Sequence, residues 1–411
     1  MTAQAARDAA ERVARERYGR LLAYLASRSG DVHAAEDALA DAFASALSSW
    51  PADGVPRAPE AWLLTAAKRR LIDAARRART RHDASDRLER AARDAQAAFD
   101  ARGELPDARL ALLYGCAHPA IAANVRAPLM LQTVVGLDAA RIASAFLIAP
   151  AAMSQRLVRA KQKIAAARIP LRVPDDAALE ERTAAVLDAI YTAYTAGWDD
   201  GGDDAVRGLD DEATWLARYV VGERPDDPEA LGLLALMRFC TARKTARRSR
   251  NGAFIPLEEQ DPARWDAAAI DEAEALLVRA RRMGRVGRYQ LEAAIGSAYC
   301  ARRDGTAVPR AAILALHDGL VAITGSVVAR VNRAVARAAV DGPAAALAEL
   351  DALDDARLLS YQPYHAARAA LLADAGCPEE SRIAYDRAIG LAADPAVRAY
   401  LTARRDVLLP R

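Results

Sequence analysis

The sequence predicts an all-α protein, and three observations carry that prediction. Alanine dominates the 411 residues while only 5% are aromatic, a balance that favours helix over strand. Runs rich in Val, Ile and Thr are short, so few segments have the composition of a strand. Proline and glycine recur at intervals that leave helix-sized stretches between them. At about 100–200 residues per domain, the length suits two to four domains.

Taken in order, residues 10–49 read as helix with a break at Ser29-Gly30-Asp31, where Asp31 can cap the helix that follows. That helix places Ala35, Leu39, Ala42, Phe43, Ala46 and Leu47 on one face. Residues 50–59 hold three prolines and a glycine and read as a loop. Helix returns over 60–79, and 80–104 is a polar, mixed-charge linker. A second helical block, 105–169, is expected to break at Pro119, Pro128, Gly136 and Pro150. Beyond Pro170 and Pro174, helices are predicted near 177–196, 209–221, 228–243, 266–283, 288–302, 308–324, 327–340, 343–352, 363–375, 379–391 and 395–405. The stretch 364–395 has the small and aromatic spacing of a tetratricopeptide-like repeat, with Gly376 at the turn and Tyr385 and Ala388 on the second helix. The basic stretch 243–256 reads as a solvated surface loop.

Several chemistries lack their residues. Cys116, Cys240, Cys300 and Cys377 form no CxxC pair, and His33, His82, His118, His317 and His365 form no HxxxH or Cys/His cluster. Neither a disulfide framework nor a metal site is expected. No phosphate-cradling glycine loop or nucleophile elbow occurs, so neither an enzyme nor a bound cofactor is expected. No apolar run reaches the roughly 18–20 residues of a membrane span, and the N-terminus lacks a signal-peptide core. A cytoplasmic protein is the expectation.

Charge is the informative quantity once it is divided. Residues 1–174 carry 27 Lys and Arg against 18 Asp and Glu, a net of +9, while 175–411 carry 30 against 37, a net of −7. Such asymmetry points to a polyanion as the partner of the first part.

Two basic helices sharpen this. Residues 139–174 contain seven basic residues and no acidic one. Within them, a helix over 138–146 capped by Asp138, a turn at 147–149 and a second helix opened by Pro150 fit a helix-turn-helix. Met153, Leu157, Ala160 and Ile164 would dock the second helix, leaving Gln155, Arg159 and Gln162 outward, flanked by Arg156 and Lys163 on one side and Ser154 and Lys161 on the other. Arg suits phosphates and guanine edges, and Gln suits adenine edges. An ordinary solvated helix is the plain alternative. In the other basic helix, Leu64, Ala67, Leu71, Ala75 and Ala78 share one face, with Arg69, Arg76 and Arg77 opposite and Trp62 at the first turn. Trp62 either offers a stacking surface to unpaired bases or staples the preceding loop. Glu36, Asp37 and Asp41 lie beside the apolar line of their helix, a face suited to a protein partner.

The segments AAEDALADAF, AWLLTAAKRRLIDAARR and LDAARIASAFLIAPAAMSQRLVRAKQKI resemble the core-binding, promoter-melting and −35-reading regions of bacterial sigma factors. The closest likeness is the extracytoplasmic-function group, which keeps only region two and region four. The stretch 112–137 and the long helical extension resemble the subgroup with a tetratricopeptide-like C-terminal domain. The resemblance implies region two over 1–80, a linker over 81–104, region four over 105–173 and a regulatory helical-repeat domain over 174–411. It implies that Glu36, Asp37, Leu39, Asp41 and Phe43 dock on core RNA polymerase, and that loop 50–59 captures a flipped base. Trp62, Lys68, Arg69, Arg70, Arg76 and Arg77 would hold the −10 element of promoter DNA. Ser154, Gln155, Arg156, Arg159 and Lys163 would serve the −35 element. The chain departs from the family at Arg69, where Asn is common, at Ser154, where a basic residue is frequent, and at Ala149, where Ser usually caps the recognition helix. Contact between the acidic C-terminal half and the basic half is a further expectation. The rival reading is a helix-turn-helix regulator with a repeat-type sensor that binds DNA without polymerase.

Overall fold

The computed structural model describes residues 3–77, 107–146, 148–198 and 208–408. Among these the protein is all-α, and the sole β feature is an isolated antiparallel bridge between Arg248 and Phe254. The chain forms two compact units, 1–216 and 217–411. The boundary at 173/174 that the resemblance implies lies inside the first of these units.

The first unit opens with α1 (Ala3–Ser29), α2 (Val32–Asp53) and α3 (Pro59–Arg77). They pack as a bundle around Leu21, Leu22, Leu25, Leu39, Trp50, Leu63 and Leu71, all buried. Asp31 caps α2 by accepting from the Ala34 amide at 3.1 Å. The helix then runs through Pro51, where the sequence predicted a loop. The proline removes the amide that would reach Leu47, and Leu47 is exposed, so water can take the freed carbonyl. Burial of Trp50 holds this last turn in place. The helix ends at Gly54, whose φ of +89° suits glycine.

Next come α4 (Arg109–Cys116), α5 (Ala123–Met130), a π-helical turn (Leu131–Val135), α6 (Ala139–Ala145) and α7 (Pro150–Ala166). Pro128 does not break the chain as expected but lies inside α5. The carbonyl that its missing N–H would have met belongs to Asn124, which is exposed. The chain does break at Gly136, as expected, where the backbone is left-handed at φ +88°. α8 (Asp176–Trp198) returns onto α4, where the buried hydroxyls of Tyr114 and Thr183 lie 2.7 Å apart. That contact explains why α8 belongs with the first unit. α9 (Leu209–Glu223) begins in it, with Arg109 stacked 4.8 Å from the Trp215 ring centroid.

The second unit is built on α10 (Pro228–Ala242), which is buried on almost every side. It packs against α11 (Ala267–Arg282) and α12 (Arg288–Cys300). The Glu229 carboxylate accepts from the Tyr289 and Gln290 amides at 2.9 and 3.2 Å, closing the N-terminus of α12 from another helix. Successive helices then pack on their neighbours: α13 (Arg310–Thr324), α14 (Val327–Asp341), α15 (Pro343–Asp351), α16 (Gln362–Asp374), α17 (Pro378–Leu391) and α18 (Pro395–Asp406). Their cores centre on Val331, Ala346 and Leu350, and on Ala369, Tyr385 and Ala388. Every helix predicted after 174 is present within a few residues of its expected bounds. The basic stretch 243–256 is more ordered than a solvated loop: Arg248 pairs with Asp394, and Phe254 meets Tyr400 edge-on at 5.5 Å. Among the described residues no helix is long and apolar enough to cross a membrane, and no cluster of His, Cys, Asp or Glu could hold a metal ion.

Candidate nucleic-acid interface

Three helices of the first unit carry the residues singled out from the sequence, and each sorts them by burial. On α7, Met153, Leu157, Ala160 and Ile164 are buried. Ser154, Gln155, Arg156, Arg159 and Lys163 are all exposed. The helix before it, α6, is capped by Asp138, which accepts from the Ala140 and Arg141 amides at 2.9 Å each. The cap of α7 is Ala149, whose side chain makes no capping bond, and Pro150 sits in the first turn. Exposed cations with a glutamine and a serine on one face can reach phosphates and base edges. Leu147, in the turn between the two helices, lies outside the described residues.

On α3, Arg69 and Arg70 are exposed, and Arg70 lies 4.0 Å from Asp41 of α2. Trp62 is half-buried and meets buried Trp50 edge-on, with ring centroids 5.5 Å apart. Lys68 corrects the expectation: it is only 8% exposed and holds its ammonium 5.1 Å from the Tyr24 ring centroid. Burial, followed by the nearby Arg28 guanidinium, lowers its pKa to about 8. Arg28 stands over the same ring at 5.6 Å, so Tyr24 serves two cations. The side chains of Arg76 and Arg77, and the linker assigned to 81–104, lie outside the described residues.

On α2, Asp37 and Asp41 are exposed and Phe43 is half-buried. Leu39 is fully inside, with no exposed surface, and so belongs to the bundle core instead of a docking face. Glu36 is also turned inward. Its carboxylate pairs with Lys161 of α7, and the two side chains are only 14% and 6% exposed. The Lys161 ammonium also donates to the Gln132 side-chain oxygen at 3.0 Å.

The sequence set Lys161 on the flank of the outward face, and the structure corrects this, because the lysine is buried against Glu36. The roles of Gln132 and Tyr24 were missed, although part of the signal was present. Lys68 follows Leu64 by four residues and precedes Leu71 by three, so it lies close to the buried line. Lys161 holds the same relation to Leu157 and Ile164. A lysine in such a register is drawn inward whenever something within the fold receives its charge.

Comparison with known proteins gives three findings. Residues 14–81, which take in the second half of α1 together with α2 and α3, match the family Sigma-70 region 2, and residues 182–281 match a family of unknown function, DUF6596. The chain is 38% identical over 381 residues to an uncharacterized protein of Rhizobium meliloti, a similarity covering 91% of this chain and 90% of the relative. No solved structure matches.

Proposed function

This chain belongs to the sigma-70 family of sigma factors, and from that we propose that it is of the extracytoplasmic-function type, with α1–α3 as region two and α4–α7 as region four. The match of 14–81 to Sigma-70 region 2 carries a role with core RNA polymerase and promoter DNA. The outward set Ser154, Gln155, Arg156, Arg159 and Lys163 supports the finer reading that α6 and α7 act as a helix-turn-helix at the −35 element. Arg69, Arg70 and Trp62 would serve the −10 element. Asp37 and Asp41, with Phe43 at the margin, would make the polymerase-docking edge. Phosphate contacts supply salt-dependent affinity and the base edges supply selection. We read the second unit as a helical-repeat regulator of these steps. The chain has no catalytic role in this scheme.

The test is binding of the full chain to purified bacterial core RNA polymerase, compared with Asp37→Lys/Asp41→Lys. The intact chain is expected to bind, and the variant to lose roughly tenfold or more, since like charges facing each other across an interface cost several kcal/mol. An intact chain that binds promoter DNA but no core polymerase would replace this reading with a regulator that works alone.

A further inference from the structure

The second unit holds a cavity of about 360 Å³ between the end of α12, the start of α13 and the C-terminal half of α14. Part of its lining is apolar: Ile313 and Ala336 are buried, and Val335 and Ala339 are exposed. The polar lining consists of Glu258, Tyr299, Arg302 and Arg310.

Arg302 is already engaged. Its guanidinium donates to the Leu257 and Gln260 carbonyls at 2.8 and 2.9 Å and lies 5.6 Å from the Trp265 ring centroid. It therefore braces the turn over 257–260, which carries Glu258, against the end of α12. Glu258 and Arg310 are both exposed, and neither has an ion-pair partner among the described residues. Tyr299 is half-buried, and no group among the described residues hydrogen-bonds to its hydroxyl. Burial, and next the Glu258 carboxylate, raise its pKa, while Arg310 pulls it the other way. One phenol thus lies in the field of two opposite charges that are not paired. Arg310 also opens α13, whose start has no side-chain cap, and free amides at a helix start favour a carboxylate nearby.

Unpaired charges of both signs beside an apolar lining select a ligand with the complementary arrangement. We propose that this cavity is a binding site for a free α-amino acid with a large apolar side chain. Its carboxylate would meet Arg310 and the Tyr299 hydroxyl, its ammonium would meet Glu258, and its side chain would lie on Ile313, Val335, Ala336 and Ala339. Ligand pockets run from about 300 to 1,000 Å³, so the volume suits one small molecule. Glu258 would repel a phosphate group, and either end of a peptide lacks one of the two charges. The proposal goes beyond the polymerase reading and does not depend on it.

The experiment is calorimetric titration of the full chain with L-leucine and L-phenylalanine. Saturable one-site binding is expected. Arg310→Ala and Glu258→Gln should each weaken it roughly tenfold, the effect of losing one charge-assisted hydrogen bond. Isocaproate, which is leucine without its ammonium, should bind the wild type about tenfold more weakly than leucine and lose nothing further in Glu258→Gln. Ala339→Trp should abolish binding by filling the cavity, and because Ala339 is exposed the variant keeps its fold. Absence of saturable binding by both amino acids would overturn the proposal. So would unchanged affinity in Ala339→Trp, which would put the ligand elsewhere. Isocaproate as tight as leucine would remove the zwitterion assignment. A leucine-ending peptide that binds more tightly than leucine would replace the proposal with a dock for a chain terminus. None of these titrations contains polymerase, so the polymerase reading can fail without changing their outcome.

Discussion

The two basic helices of the first unit, α3 and α7, solve one electrostatic problem in two ways. Each turns most of its cations outward and hides one lysine. On α3, Lys68 is covered by the Tyr24 ring and crowded by Arg28, and its pKa falls to about 8. On α7, Lys161 meets the Glu36 carboxylate. An aromatic face tolerates a buried ammonium locally, within the bundle. A carboxylate on another module turns the same burial into a tie between distant parts of the chain. The whole sequence contains only four lysines among 57 basic residues, namely Lys68, Lys161, Lys163 and Lys244, and two of the four are buried. Arginine keeps its charge in almost any setting and matches phosphate bidentately. Here the outward work on both helices falls largely to arginine, and lysine goes inside.

The comparison can be tested by removing outward and inward cations separately. The largest effect is expected for Arg156→Ala/Arg159→Ala on α7, with −35 promoter DNA binding down roughly a hundredfold. The slope of log affinity against log salt should become shallower by about 2, one for each lost phosphate contact. Titrations at several salt concentrations measure both, and an unchanged slope would place DNA elsewhere.

Lys68→Met should leave that slope unchanged and act on stability instead. Between pH 8 and the ordinary lysine range, the unfolded chain binds the Lys68 proton and the folded chain does not. Stability of the bundle should therefore rise with pH across that window and be flat below it. Lys68→Met is expected to flatten the rise and add on the order of 1–2 kcal/mol at pH 7. Urea melts at pH 7, 8.5 and 10 decide the point. A loss of DNA affinity without this change in stability would return Lys68 to the DNA-binding set.

The smallest effect concerns caps. α6 begins at Asp138 with two capping bonds, and α7 begins at Ala149 with none. Ala149→Asp should stabilise the first unit by about 0.5–1 kcal/mol, as a carboxylate takes up a free amide at that helix start. A thermal melt that does not move would mean that Pro150 and the preceding turn already satisfy that end.

Helix positions, the Asp31 and Asp138 caps, and the docking line Met153, Leu157, Ala160 and Ile164 were legible in the sequence because periodicity and capping are local. Pro51 and Pro128 misled for a physical reason. A proline is tolerated where water can take the freed carbonyl, and burial of Trp50 and of Leu129 to Leu131 outweighs the lost bond. Leu39 was legible as apolar but was assigned to a partner, because an apolar helix face looks the same whether a partner or a neighbouring helix covers it.

The sequence by itself determined an all-α chain, the division of charge into a basic first part and an acidic second part, and the outward basic face of α7. Tertiary structure alone decided that α8 joins the first unit, that Lys68 lies under Tyr24, and that Glu36 meets Lys161 across 125 residues of chain. Helix and charge are set within a few residues of one another. The partner of a buried charge depends on which surfaces the fold brings together, and no spacing in the sequence encodes that.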